Sequence, residues 1–214
     1  MMRYAVKEIY YTLQGEGANV GRAAVFLRFA GCNLWTGHEQ DRSRGPSCSV
    51  WCDTDFVGTD GPGGGRFETA TALAEAVAWH WPVAGNTKPF VVCTGGEPLL
   101  QLDDAAIAQL HAAGFEVAVE TNGTQRAPAG IDWLTVSPKA NSDLVLTKGD
   151  ELKLVFPQPG AEPQRFERLD FRHFFLQPMD GREVERNTRL ALEYCLAFPR
   201  WRLSLQTHKI LQIP

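Results

Sequence analysis

Three of the five cysteines have the spacing and surroundings of metal ligands. Cys32, Cys48 and Cys52 lie in one polar stretch that also contains glycine and proline. Thiolates are soft ligands that select zinc, copper(I) or iron–sulfur clusters. Three of them leave a fourth position open, which His38 would have to fill in a structural zinc site. On a [4Fe–4S] cluster that position is one iron with an exchangeable ligand. The cysteines alone leave both centres possible.

A Gly-Gly-Glu-Pro sequence further along the chain favours the iron–sulfur centre. Gly95, Gly96, Glu97 and Pro98 directly follow an apolar strand pattern. Two glycines leave room for a ligand to approach the backbone, and Glu97 would accept hydrogen bonds from a ligand amine or from backbone amides. S-adenosylmethionine can chelate an open iron through its amino and carboxylate groups. The cysteines and this sequence together therefore predict a radical centre that binds it.

Polar residues recur just past the ends of five predicted strands. In parallel α/β folds these strand ends share one face, where ligands bind, so we expect the five clusters to meet around one cavity. The plainer alternative is that exposed loops are simply polar. The clusters are Thr94, Gly95, Gly96 and Glu97; Glu120, Thr121, Asn122 and Gly123; Ser137, Pro138 and Lys139; Gln177, Pro178, Met179 and Asp180; and Gln206, Thr207, His208 and Lys209.

Strand and helix patterns alternate along the chain. Runs of β-branched and aromatic residues predict strands over residues 4–11, 24–29, 90–93, 116–119, 133–136, 152–156, 174–176 and 203–205. Apolar spacing predicts helices over residues 71–79, 103–113 and 183–198, with a weaker segment over 163–168. The glycine-rich stretch 58–66 is expected to be a surface loop. The pattern predicts one α/β domain over residues 1–214, an incomplete TIM-like barrel of about six parallel strand–helix units.

Composition and charge exclude several classes of function. The 214 residues carry 21 Lys and Arg against 25 Asp and Glu, and a net charge of −4 offers no general attraction for nucleic acid or for an acidic membrane. The sequence has no leader pattern and no apolar run of membrane-spanning length, so we expect a cytoplasmic protein.

An odd number of cysteines fits a reducing compartment. Cys93 and Cys195 stand in apolar patterns and are expected to be core residues.

Several longer motifs complete this pattern. They are VKEI at residues 6–9, YTLQGEG at 11–17, FAGCNLW at 29–35, CDTDF at 52–56, GGEP at 95–98, ETNG at 120–123, SPK at 137–139, QPMD at 177–180 and QTHK at 206–209. With them the chain resembles the 7-carboxy-7-deazaguanine synthase family of the radical S-adenosylmethionine superfamily along nearly its whole length. The cysteine loop has one more residue in each interval than this resemblance leads us to expect. The additional residues are expected near Gly45 and Pro46, where insertions are tolerated.

The resemblance implies an activity and a set of site residues. The activity is a lyase reaction of queuosine and deazapurine biosynthesis, the ring contraction of 6-carboxy-5,6,7,8-tetrahydropterin to 7-carboxy-7-deazaguanine with loss of ammonia. A [4Fe–4S] cluster, S-adenosylmethionine and Mg²⁺ are the implied cofactors. A homodimer and an electron donor such as flavodoxin are the implied partners.

The implied site residues fall into four groups. By the resemblance the cluster is held by Cys32, Cys48 and Cys52; Mg²⁺ by Thr54; S-adenosylmethionine by Gly95, Gly96, Glu97, Glu120, Ser137, Pro138, Lys139, Gln177, Pro178, Met179 and Asp180; and the pterin by Leu13, Gln14, Gly15, Glu16, Arg28, Thr94 and Pro214. Arg28 would pair with the carboxylate of the substrate.

Two other interpretations remain open from the sequence. An activating enzyme that takes hydrogen from a glycine of a partner protein would share the cysteines and the GGEP sequence. It would not need Gln14, Arg28 and Pro214 to line a closed pocket. A non-catalytic zinc or ferredoxin-like module would share only the cysteines.

Overall fold

One sheet of nine strands organises the part of the chain that the computed structural model describes, residues 4–42, 47–82 and 87–214. The strands are β1 (Tyr4–Leu13), β2 (Ala23–Phe29), β3 (Gly65–Phe67), β4 (Phe90–Gly95), β5 (Glu116–Thr121), β6 (Trp133–Val136), β7 (Lys148–Phe156), β8 (Asp170–Pro178) and β9 (Trp201–Leu203). They lie in the order β3-β1-β2-β4-β5-β6-β7-β8-β9. From β2 to β9 every neighbouring pair is parallel, while β1 runs antiparallel to β2 and β3.

Four α-helices connect or follow these strands in the described residues. They are α1 (Ala70–Trp79), α2 (Asp104–Ala112), α3 (Val184–Ala197) and α4 (Thr207–Leu211). The Thr69 side chain accepts a hydrogen bond from the Ala72 amide at the start of α1, and the Asp103 side chain accepts one from the Ala106 amide at the start of α2. These caps satisfy amides that the first helical turn leaves without a partner, and they explain where both helices begin.

Alternation along the strands divides the sheet into an apolar outer face and a mixed inner face. On β2, Val25 and Leu27 pack in the core beneath α1 and α2, whereas Phe26 and Arg28 lie on the opposite face. A second core lies beneath α3, against β7, β8 and β9. The two-residue period of a strand sets this division, and on β7 it turns Lys153 inward.

Strand and helix alternate less regularly than the sequence predicts. α1 lies between β3 and β4, α2 between β4 and β5, and α3 between β8 and β9, whereas the connections after β5, β6 and β7 contain no α-helix. Neither edge strand, β3 or β9, pairs with the other, so the sheet stays open. The predicted α/β fold with a largely parallel, unclosed sheet is confirmed.

Several strands are longer than predicted, β7 and β8 each beginning four residues earlier, and three elements differ in kind or place. The strand Gly65–Phe67 begins inside the predicted surface loop 58–66, because it pairs with the beginning of β1. The last strand lies earlier than residues 203–205, since the large Trp201 side chain is buried in the core there. The weak helical segment contains only the 3-10 turn Pro163–Arg165. No helix among the described residues is long and apolar enough to cross a membrane.

Candidate active site

The C-terminal ends of the parallel strands surround a cavity of about 330 Å³. A volume of this size suits a small organic ligand. Side chains from the inner face of the sheet line it at alternate positions along the strands. They are Tyr10, Phe26, Arg28, Thr94, Glu120, Thr135, Lys153, Val155 and Gln177.

The cavity brings together most of the residues predicted to form the site. Those that line it are Cys32, Cys48, Cys52, Thr54, Leu13, Gln14, Gly15, Glu16, Arg28, Thr94, Gly95, Gly96, Glu120, Ser137, Lys139, Gln177 and Pro214. The meeting of the five polar clusters, which parallel topology predicts, is therefore observed. Five predicted cofactor residues do not line the cavity, namely Glu97, Pro138, Pro178, Met179 and Asp180.

Glu97 lies behind the cavity wall and is fully buried. Its carboxylate accepts hydrogen bonds from the Leu99 amide at 3.0 Å, the Asn122 amide at 2.8 Å and the Thr121 hydroxyl at 2.7 Å. Burial raises the pKa of this carboxyl, and the three donors oppose that effect. The sequence predicts that Glu97 accepts hydrogen bonds either from a ligand amine or from backbone amides, and the structure contains the hydrogen bonds from backbone amides. Glu97 thereby joins the loop after β4 to the loop after β5.

Of the other four residues outside the cavity, Pro178 ends strand β8, and Pro138, Met179 and Asp180 belong to the loops that shape the cavity. The Met179 carbonyl accepts a hydrogen bond from the Asn187 side chain, and the Pro138 carbonyl accepts one from Gln158. The carboxylate of Asp180 pairs with a lysine of α4. These contacts fix the loops after β6 and β8, and a direct contact with a cofactor remains a prediction.

Gly95 and Gly96 allow the end of β4 to pack against the segment that leads to Cys32. A Cβ atom at Gly95 would lie 2.2 Å from the Phe29 carbonyl oxygen, and one at Gly96 would lie 2.2 Å from the Gly31 carbonyl oxygen. Gly95 also has a φ of +145°, a conformation that side chains disfavour. The sequence predicts that these glycines make room for a ligand. In the structure their nearest neighbour is the backbone that leads to the cysteine loop, so they also make room for that backbone.

Replacing Gly96 with alanine is expected to lower the free energy of unfolding by about 2 kcal/mol or more, since the new methyl group must displace the Gly31 carbonyl. Gly65→Ala is the matched control, because a Cβ atom there would have no neighbour closer than 3.9 Å. That change is expected to stay within about 0.5 kcal/mol. Urea denaturation followed by circular dichroism measures both, and equal midpoints for the two variants would contradict the packing argument.

The three predicted cluster cysteines lie close together, and the pKa values of two of them are shifted. Burial, with the neighbouring Cys32 and Cys52, raises the pKa of the Cys48 thiol to about 11 against the opposing charge of Lys139. Burial also raises the pKa of the Cys32 thiol. Such thiols stay protonated near neutral pH until a metal replaces the proton. Gly45 and Pro46, near which the additional residues of this loop are predicted, lie outside the described residues.

The donor set fits an iron–sulfur cluster with one exchangeable position. Three thiols line one side of an open cavity, which is what such a cluster requires. His38, the fourth ligand that a zinc site would need, is exposed and does not line the cavity. Among the described residues, no group of three or more His, Cys, Asp or Glu side chains is arranged to hold a metal ion. Neither a zinc site nor a cluster site is therefore preassembled among these residues, and the exposed His38 does not supply the fourth ligand of a zinc site.

Lys153 lies at the centre of a buried ion-pair network on the inner face of the sheet. The residue is 5% exposed, and its ammonium lies 2.5 Å from a Glu16 oxygen and 3.4 Å from a Glu120 oxygen. Glu16 also accepts hydrogen bonds from the side chains of Gln177 at 3.1 Å and Gln206 at 3.0 Å. The network joins the loop after β1 to β5, β7, β8 and the segment after β9.

Opposite charges keep most of this network ionised in spite of its burial. Burial lowers the pKa of Lys153, but Glu120, Glu16 and Glu151 outweigh that effect and raise it overall. For Glu16, burial raises the pKa, and the Lys153 charge outweighs it so that the pKa lies below its usual range. Glu151 differs from Glu16 in the direction of its shift, because burial outweighs the Lys153 charge and raises the pKa of the Glu151 carboxyl.

Arg28 is held at the cavity by two neighbours. Its Nε donates to the Glu8 carboxylate at 2.7 Å, and its Nη2 donates to the Tyr10 hydroxyl at 3.0 Å. The Tyr10 ring stacks on Phe26, with ring centroids 5.5 Å apart. A guanidinium has five N–H donors, so these contacts leave donors for an anionic ligand.

The C-terminal segment closes part of the cavity. The Thr207 amide and hydroxyl donate to the Gly15 carbonyl at 3.0 and 2.9 Å, and the Thr12 hydroxyl donates to the Pro214 carbonyl at 3.0 Å. Gly15 leaves the room that His208 occupies, since a Cβ atom there would lie 2.3 Å from its Nδ1. These contacts place Pro214 and His208 in the cavity wall.

Proteins of known name match the whole chain. It is 62% identical over 213 residues to the 7-carboxy-7-deazaguanine synthase of Caulobacter vibrioides, with 100% of both chains covered. It is 31% identical over 246 residues to the 7-carboxy-7-deazaguanine synthase of Escherichia coli, with 99% of this chain and 100% of the other covered. The chain belongs to the 7-carboxy-7-deazaguanine synthase family. This confirms the resemblance that the motifs predict.

A solved structure agrees with this membership of the 7-carboxy-7-deazaguanine synthase family. The crystal structure of QueE from Escherichia coli matches with a TM-score of 0.70 at 26% identity, covering 96% of this chain and 94% of that one. No family model matches the chain. Family membership implies a [4Fe–4S] cluster and S-adenosylmethionine, which fits the three thiols beside the cavity.

Sequence reasoning missed several residues that shape the site of this family member. Glu8, Tyr10 and Phe26 hold or flank Arg28, and Lys153 joins the buried carboxylates. Two of them left a signal in the sequence: Lys153 as a charge in the middle of an apolar strand pattern, and Glu8 as part of the VKEI motif. Tyr10 and Phe26 are ordinary residues for a strand, and their role depends on the pairing of β1 with β2.

Proposed function

We propose that the protein is a 7-carboxy-7-deazaguanine synthase, which contracts the ring of 6-carboxy-5,6,7,8-tetrahydropterin with loss of ammonia in queuosine or other deazapurine biosynthesis. One observation carries the proposal: the three cysteines share a single cavity with Arg28 and Glu120, an anion-binding and a cation-binding group suited to a small polar heterocycle. The full-length relatives support the same activity, because they bear this name.

The cysteine side of the cavity suits the cofactors. Cys32, Cys48 and Cys52 would hold the cluster, which with S-adenosylmethionine supplies the radical that takes hydrogen from the substrate. Lys139 donates to the Ser137 carbonyl at 2.9 Å and to its hydroxyl at 2.7 Å, which holds a positive charge near the cysteines for a ligand carboxylate. The side-chain oxygen of Gln177 is buried without a partner among the described residues, and it would accept from a cofactor donor.

The opposite charges of Arg28 and Glu120 suit the two ends of the pterin. Arg28 would donate to the substrate carboxylate, and Glu120 would accept from the N–H groups of the amino-pyrimidinone edge. Glu120 contacts Gln14 and Lys153, which favours a substrate role over the cofactor role predicted from sequence. Both oxygens of Glu16 already accept from protein donors, so Glu16 would act by holding its neighbours.

Several finer parts of the proposal depend on the resemblance. Thr54 lines the cavity, and its single hydroxyl would suffice for Mg²⁺ if the substrate carboxylate and waters complete the coordination. A homodimer, a cytoplasmic location and a one-electron donor such as flavodoxin belong to the same proposal. The single sheet that runs from residue 4 to residue 203 supports one domain over residues 1–214.

The cavity favours a small molecule over a partner protein as the substrate. Gln14, Arg28 and Pro214 all line it, and their convergence is what distinguishes this proposal from an activating enzyme. Anaerobic turnover tests the choice. Reconstituted protein with dithionite, S-adenosylmethionine and the tetrahydropterin is expected to form 7-carboxy-7-deazaguanine, identified by mass and by elution with a standard. Release of 5′-deoxyadenosine at one rate with and without the pterin would contradict it.

Arg28→Met is expected to raise KM for the pterin by about tenfold to a hundredfold with a smaller change in kcat, because a charged hydrogen bond to a carboxylate contributes about 1.5–3 kcal/mol. Steady-state kinetics measures this, and the iron content of each preparation verifies an intact cluster. Arg189→Met is the control, because Arg189 is exposed on α3. A wild-type KM in Arg28→Met would remove Arg28 from the substrate site.

A further inference from the structure

Lys153 is a buried charge that the cofactor and substrate assignments leave unused. It lies on β7 between Leu152 and Leu154, both of which are fully buried in the core. Burying an ammonium is costly unless carboxylates pair with it. A lysine in the middle of an apolar strand therefore needs a reason beyond packing.

Carboxylates surround this ammonium on the inner face of the sheet. The titratable groups that face the network come from β1, the loop after β1, β5, β7, the loop after β6 and α4. They are Tyr10, Glu16, Glu120, Glu151, Lys139 and His208. With three carboxylates nearest to it, Lys153 is the cation that pairs with this concentration of negative charge, since the other described contacts of these carboxylates come from neutral amides.

The contacts leave one carboxylate oxygen available for a ligand. Oε1 of Glu120 accepts from Gln14 at 2.9 Å and lies 3.4 Å from the Lys153 ammonium. Gln14 is itself fixed, because its Oε1 accepts from the Glu16 amide at 3.0 Å. Among the described residues, Oε2 of Glu120 has no hydrogen-bond partner.

We propose that Lys153 is a positioning residue, which with Glu16 and Gln14 fixes one oxygen of Glu120 so that the other accepts hydrogen bonds from the donor-rich edge of the substrate. This inference rests on the proposed function, since the pterin supplies those donors. A neutral residue at 153 would remove the charge that keeps the pKa of Glu16 low, so burial would raise that pKa and Glu16 would take up a proton as the pH falls. A protonated Glu16 would no longer accept all of its hydrogen bonds, so the segment that fixes Gln14 and Glu120 would loosen and substrate affinity would weaken at low pH.

Three variants separate positioning from general stability. Lys153→Met removes the charge and keeps the aliphatic stem. Lys153→Met with Glu151→Gln also replaces a neighbouring carboxyl by a neutral amide of similar shape, and because Glu151 does not line the main cavity, the proposed contact of Glu120 is unchanged. Lys148→Met is the control, an exposed lysine of the same strand.

Anaerobic calorimetry of the reconstituted holoenzyme, from pH 6 to pH 9, measures the Kd of the tetrahydropterin and of S-adenosylmethionine. Both Lys153 variants are expected to raise the pterin Kd by about tenfold at pH 7 and by more at pH 6. The tenfold change corresponds to the loss of roughly one charge-assisted hydrogen bond. The S-adenosylmethionine Kd is expected to stay within about twofold of wild type, and Lys148→Met to match wild type throughout.

The outcomes distinguish this inference from the function on which it rests. A double variant that binds the pterin with the wild-type Kd at every pH would overturn the role of Lys153. Equal losses for both ligands, with an unchanged pH profile, would likewise overturn it in favour of general structural damage. Wild-type enzyme that binds S-adenosylmethionine but not the pterin would overturn the proposed substrate instead.

Discussion

Alanine at Cys48 is expected to lower product formation by more than about a thousandfold, because catalysis depends on a cluster that two cysteines no longer hold. Cys48 is buried at the cavity, and Cys32, Cys52 and Lys139 lie near enough to its thiol to influence its pKa. Iron and sulfide content after anaerobic reconstitution is expected to fall well below the wild-type level of about four of each per chain. Product quantification by mass spectrometry measures the loss of turnover.

Cys195→Ala is the matched control for that experiment. Cys195 packs beside the second core on α3 and does not line the cavity. Iron content is expected to match wild type, with turnover within about twofold, since no predicted ligand is changed. A Cys48→Ala enzyme with a full cluster and wild-type turnover would contradict the assignment of the three thiols.

Glu97→Ala is expected to lower the free energy of unfolding by about 3–5 kcal/mol. The carboxylate is fully buried, and its loss leaves the Leu99 and Asn122 amides and the Thr121 hydroxyl without their acceptor. Each buried donor left unsatisfied costs about 1–3 kcal/mol. Urea denaturation of the reconstituted protein measures the change through the shift of the midpoint at constant slope.

Two control variants show whether the buried hydrogen bonds account for that loss. Glu97→Gln keeps one acceptor oxygen and is expected to lose less stability than Glu97→Ala. Glu75→Ala removes an exposed carboxylate from α1 and is expected to stay within about 0.5 kcal/mol of wild type. If Glu97→Ala unfolds at the same midpoint as Glu75→Ala, Glu97 does not join the two loops.

The arrangement of the site follows from features that a sequence displays. Polar clusters after successive strands predict a common cavity, because parallel strands end at the same edge of a sheet. The alternation on β2 also predicts that Arg28 faces away from the core that Leu27 joins. Cys93 and Cys195, set in apolar patterns, pack with the cores as predicted.

The features that sequence reasoning missed depend on contacts between distant segments. Strand β3 lies in a glycine-rich stretch, and it exists because the beginning of β1 offers it a partner. Glu97 resembles a ligand-binding residue, yet its acceptors are used by the loop after β5, which no local pattern encodes. The role of Lys153 likewise requires β1, β5 and β7 to be brought together first.

The central claim is that one iron of the cluster lacks a protein ligand and faces the cavity, where S-adenosylmethionine binds it. Electron–nuclear double resonance of the reduced, reconstituted protein with S-adenosylmethionine labelled at the amino nitrogen or the carboxylate oxygens tests this directly. We expect hyperfine coupling between the cluster and both labels. Absence of coupling from both labels, together with a side-chain ligand on the fourth iron, would contradict the account.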